Sequence, residues 1–178
     1  MKRGVRIIEC SDPHDPGSEG RLLQEVFRLM NIRCELVRAE STEELIAAVS
    51  DSKYKYVHVS THGFVEHNKS FEGWWSRNGI GTRKAFAQHE GAFARKCLVS
   101  TACKSGVRGF GEHVVGFLGA QYYIAPNGSP LWHNAALFSH IFYFKLFRTK
   151  GTFAKAFSSY AKVYKNPHKF RLFRKDAL

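Results

Sequence analysis

Two short segments carry residues able to do chemistry together: VHVSTHG, which ends in His62 and Gly63, and CLVSTACKSG, which contains Cys103. Each begins as an apolar, β-branched run and then turns polar, the pattern of a buried strand delivering side chains into a turn. A thiolate is a strong nucleophile and an imidazole carries protons near neutral pH, so the pair is suited to acyl transfer. Gly63 adds a steric argument, because a residue without Cβ lets a backbone N–H approach a developing oxyanion, with the Cys103 amide as second donor. Taken singly, a strand-end histidine reads as exposed or structural and a cysteine after an apolar run as a small core hydrophobe. Their equivalent positions carry the argument: Ser-Thr precedes each, and a glycine follows at once (Gly63) or three residues later (Gly106).

Such a pair has to be held by neighbouring strands, and the rest of the chain supplies them. Runs at 5–10, 34–39, 54–61, 97–102 and 121–126 read as strands, interleaved with helix-like stretches at 20–30, 41–49 and around 113–119. That alternation predicts βαβ units around a mainly parallel sheet, in which ligands sit beyond the carboxyl ends of the strands. Ser41 followed by Glu44 forms a capping-box pattern at one helix start. Two helices, roughly 134–147 and 152–165, close the unit before Pro167. Residues 64–84 show no clear period and read as a loop or small hairpin of functional interest. The segments divide the chain into one domain over 1–165 and a basic tail over 166–178.

Composition narrows the classes. With 27 Lys+Arg against 15 Asp+Glu, the 178-residue chain carries a formal charge of +12, which favours acidic partners. Four cysteines (Cys10, Cys34, Cys97 and Cys103) are too few for a disulfide framework at this length and show no metal-binding spacing, so no metal is expected. No run approaches the roughly 18 apolar residues of a membrane span. The start MKRGVRIIECSD lacks an apolar signal core, so the expectation is a cytoplasmic protein with reduced thiols and no membrane contact.

The segments VHVSTHG and LVSTACKSG resemble the His-Gly and Ala-Cys signatures of the caspase-like cysteine peptidases of clan CD, in that order. Downstream, Phe117, Leu118, Gly119 and Ala120, then Trp132, the Phe142-Tyr143 pair, Gly151, and Ala154 with Ala156 are similar to the closing segment of CHAT domains. The resemblance spans roughly residues 54–164. It implies a three-layer αβα caspase-like fold with a mostly parallel sheet, Cys103 as nucleophile, His62 as proton-transfer partner and an oxyanion site at the Gly63 and Cys103 amides. It further implies hydrolysis of a protein or peptide substrate without metal or organic cofactor. The family's usual company adds a regulatory protein partner in a bacterial signalling or antiviral defence setting. Where many CHAT domains have an acidic residue after Leu131-Trp132, this chain has His133-Asn134.

Candidate substrate-binding residues follow from position. In caspase-like folds the loop after the first strand contributes to the specificity pocket, so Asp12 or Asp15 is expected to select a basic side chain unless both are plain turn residues beside Pro13 and Pro16. Trp74 and Trp75 supply apolar contacts, with adjacent strand residues facing opposite sides so that at most one is buried in the core. Trp132 completes the set. Two competing readings remain: an inactive caspase-like scaffold, and a nucleic-acid binder whose tail pairs Lys169, Arg171, Arg174 and Lys175 with Phe170 and Phe173 for phosphate contact and base stacking.

Overall fold

A computed structural model describes residues 2–11, 15, 19–66, 70–149 and 151–177. Five parallel strands form most of a six-stranded sheet: β1 (Lys2–Glu9), β2 (Cys34–Arg38), β3 (Tyr54–Ser60), and, further along the chain, β7 (Cys97–Ser100) and β8 (Tyr122–Pro126). The order is β2-β1-β3-β7-β8, and β9 (Phe170–Arg174) closes the β8 edge as its one antiparallel member. Strand order reverses between β1 and β3, so the crevice at their carboxyl ends is the expected ligand site of an open α/β sheet.

Five helices cover the two faces of this sheet among the described residues. On one face, α2 (Thr42–Ser50) contributes Leu45, Ile46 and Val49, and α3 (Arg108–Gly116) contributes Phe110, Val114 and Val115. These pack on Ile8, Val57, Val59, Leu98 and Tyr123. On the other, α1 (Gly20–Leu29), α4 (Trp132–Arg148) and α5 (Phe153–Tyr164) bring Leu23, Phe27, Phe138, Phe142, Phe153 and Tyr160 against Val5, Ile7, Val99 and Ile124. Successive strand residues thus serve opposite cores, which is why these strands read as continuous apolar runs rather than alternating ones. The result is a mixed α/β protein with helices on both faces of a mostly parallel sheet.

Local chemistry explains the element ends. Ser41 caps α2 by accepting from the Glu44 amide at 3.2 Å, while the Glu44 carboxylate accepts from the Glu40 amide at 2.7 Å. The helix expected from about residue 113 starts earlier, at Arg108, because Gly109 and Gly111 weaken its first turn as a helix signal. Gly111 is required by packing, since the Phe173 ring lies where its Cβ would be. The region 64–84, expected as a loop or small hairpin, is a second, three-stranded antiparallel sheet: β4 (Gly63–Val65), β5 (Phe71–Ser76) and β6 (Gly79–Thr82).

Residues 166–178, set apart above as a tail, supply β9 and a short 3-10 turn at Lys175–Ala177. The alternation that makes this a strand is legible in hindsight: Phe170 faces inward, 2% exposed, while Arg171 faces solvent. Phe170 stacks on Phe138 with ring centroids 3.8 Å apart. Phe170→Ala is therefore expected to cost about 3–5 kcal/mol, the range for truncating a buried aromatic. Urea unfolding followed by circular dichroism measures it, and a loss below about 1 kcal/mol would mean that β9 does not belong to the cooperative core.

Candidate active site

The site is set by strand register. Tyr56 of β3 faces Cys97 of β7, and Val59 faces Ser100. Continued three residues past these last paired positions, the same register puts His62 opposite Cys103. The two backbones also touch: a Cβ on Gly63 would overlap the Cys103 carbonyl oxygen and sit 2.9 Å from its carbonyl carbon and 3.2 Å from its amide nitrogen. Only glycine allows this approach, so Gly63 is required at the meeting point of the two strand ends.

The turn that carries Cys103 is pinned from several sides. Ser105 donates to the Ala102 carbonyl through both its amide, at 3.1 Å, and its hydroxyl, at 2.7 Å. Lys104 takes the left-handed conformation, φ 58°, and its amide donates to the Gly128 carbonyl at 2.8 Å. The Gly106 amide donates to the Pro126 carbonyl at 2.7 Å, and a Cβ there would press on the Ala125 carbonyl carbon at 2.8 Å. Below the turn, Glu19 ties the two strands together: its Oε1 accepts from His58 Nε2 at 2.6 Å and from the Thr101 hydroxyl at 2.5 Å. The Tyr143 hydroxyl completes the bridge at His58 Nδ1, at 3.2 Å. His58, wholly buried with both ring nitrogens bonded, is thus a core histidine that ties strands together.

His62 is held by its own neighbours. Its carbonyl accepts from the Trp75 amide at 2.9 Å, and the Thr61 hydroxyl donates to the Trp75 carbonyl. Asp15 Oδ2 accepts from His62 Nε2. A carboxylate only accepts, so this contact places the ring proton on Nε2 and leaves the Nδ1 lone pair for proton transfer. Two indoles meet the imidazole in edge-to-face pairs, Trp132 at 5.0 Å and Trp75 at 6.0 Å between centroids. Beside it, His62, Gly63, Phe64, Val65 and Trp75 line an open concavity of about 350 Å³.

The expected site residues divide accordingly. His62, Gly63 and Cys103 converge, and Trp75 and Trp132 stand against the imidazole. Trp74 does not join them: it is 1% exposed and packs edge-on against Phe110 in the core, because alternate residues of β5 face opposite ways. Asp12 lies outside the described residues. Asp15, weighed above as a selector of basic side chains, instead contacts the imidazole across the crevice between β1 and β3. Its position beyond the carboxyl end of β1, at the reversal of strand order, is the signal that could have assigned it.

The other thiols are differently placed. Burial pushes the Cys10 and Cys97 thiols up to about 12, and it also raises Cys34. Cys103 is half-exposed. Among the described residues, no group of three or more His, Cys, Asp and Glu side chains is arranged to hold a metal ion, and no helix is long and apolar enough to cross a membrane. No family model and no curated protein matches the chain.

At pH 8 a thiol with a pKa of about 12 is thiolate in about one part in 10⁴, so the native protein should be alkylated by iodoacetamide at Cys103 well before Cys10 or Cys97. Peptide mapping after timed alkylation checks this order. Equal modification of Cys103, Cys10 and Cys97 would contradict the burial described.

Proposed function

We propose that the chain is a cysteine endopeptidase of the caspase-like, CHAT-type class. The observation that carries the reading is the contact of Gly63 with the Cys103 backbone just past the paired ends of β3 and β7, with Asp15 on Nε2 of the neighbouring His62. A mostly parallel sheet with helices on both faces, and reactive residues after adjacent strands, supports the caspase-like assignment of the fold.

In the reaction, His62 Nδ1 takes the thiol proton and Cys103 Sγ bonds to the scissile carbonyl carbon. The amides of Gly63 and Cys103 face the resulting oxyanion, whose stabilisation by fixed donors is a dominant contribution in such sites. His62 then gives its proton to the leaving amine as the C–N bond breaks. Water, deprotonated by His62, attacks the thioester carbon and releases the acid and the free thiol. Asp15 holds the imidazole tautomer and balances its transient positive charge, and Trp75 and Trp132 wall the approach so that a peptide side chain can rest in the concavity beside them.

An acyloxymethyl ketone peptide traps this step, because the thiolate displaces the carboxylate and forms a stable thioether. Intact-mass spectrometry should show one adduct, absent in Cys103→Ala and slowed about 100-fold or more in His62→Ala. Asp15→Asn should slow it about tenfold or more, since an amide NH₂ donating to Nε2 moves the ring proton to Nδ1 and removes the base. Labelling at equal rates in wild type and His62→Ala would overturn the reading.

A further inference from the structure

The catalytic residues occupy the carboxyl ends of the parallel strands, and the opposite end of the sheet is different in character. Two concavities adjoin there, about 450 and 540 Å³, sharing Lys2, Arg3 and Phe147. Lys55 lines the first, Arg33 and Arg148 line the second, and no carboxylate lines either. Among the described residues none of these five cations has an ion-pair partner, whereas Arg6, Arg28, Arg38, Lys53, Arg77 and Arg108 are each paired with a glutamate. Part of the +12 charge is therefore gathered into one recessed surface whose lining carries no carboxylate.

The recess also holds planar groups. Arg3 lies over the Phe147 ring at 5.6 Å, and Tyr56 meets the same ring edge-on at 5.4 Å. We propose that this surface docks single-stranded nucleic acid, with the five cations on phosphates and the Arg3–Phe147 pair as a platform for a base. Single strands fit better than the alternatives. A stiff duplex bridges a concavity rather than entering it, and an anionic membrane asks for protruding apolar side chains beside the cations, whereas Phe147 is half-buried.

The terminal residues 166–178 serve this role less well than their composition suggests. The two phenylalanines expected to stack on bases are used internally, Phe170 on Phe138 and Phe173 on Tyr123. The tail cations thus keep charge without a stacking partner. The inference is independent of the peptidase reading, because the recess lies at the far end of the strands from Cys103.

Fluorescence anisotropy with a labelled, mixed-sequence single-stranded RNA over a range of salt concentrations tests it with charge-matched variants. Wild type should bind with a log–log salt slope of about −3, as expected for four to five phosphate contacts. Arg33→Ala/Arg148→Ala should flatten that slope by about 1.4 and weaken binding about tenfold, while Arg171→Ala/Arg174→Ala should leave both nearly unchanged. Cys103→Ala should bind as wild type does. Equal losses in the two double variants would reduce the effect to net charge and overturn the proposal. So would absence of salt-dependent RNA binding, or capture by phosphatidylserine vesicles in its place.

Discussion

Everything at the candidate site depends on how two parallel strands end. β3 and β7 pair without a bulge over Tyr56–Val59 and Cys97–Ser100, and a residue lacking Cβ lets the chain after β3 lie against the turn after β7. Parallel pairing fixes which residues are neighbours but leaves their approach to local sterics. Gly63 resolves that by admitting the Cys103 backbone into the space a side chain would fill. The cost of holding the turn, including a left-handed Lys104, is offset by hydrogen bonds to Pro126, the last residue of β8, and to Gly128 just beyond it.

Two polar bridges then convert proximity into orientation. The buried Glu19 joins His58 in β3 to Thr101 past the end of β7, so sliding one strand end against the other would break buried hydrogen bonds. Asp15, on the exposed side, reaches His62 across the point where strand order reverses. Asp15 and Glu19 both lie in the connection between β1 and α1. One connection thus touches both His62 and, at Thr101, the segment that leads to Cys103. The second sheet contributes through alternation in β5: Trp74 anchors it in the core and Trp75 is left beside the imidazole.

The features most legible in the sequence were those with a local cause. Apolar runs ending in polar residues marked the strand ends, Ser41 and Glu44 marked a helix start, and the matching offsets of His62 and Cys103 marked a shared edge. Other features depend on tertiary context. Asp15 sits in a stretch of Asp-Pro turns where its type alone cannot separate a turn former from a partner of histidine. β4 to β6 are short and rich in glycine, so their period is too brief to register, and they stand as strands because Trp74 packs into the main core. β9 is obscured by its charge: Arg171 and Arg174 read as part of a basic tail, although Phe170 and Leu172 mark a strand face that packs on a core.

The central claim is that close approach of the two strand ends, not the presence of a thiol and an imidazole alone, assembles the site. The most direct measurement is the rate at which a peptidyl acyloxymethyl ketone modifies Cys103 in Gly63→Ala, alongside amide hydrogen exchange to establish that the sheet is intact. The account predicts a folded protein whose labelling is slowed about 100-fold or more, because the added Cβ displaces the turn and with it the amides that face the oxyanion. A folded Gly63→Ala variant labelled at the wild-type rate would contradict it.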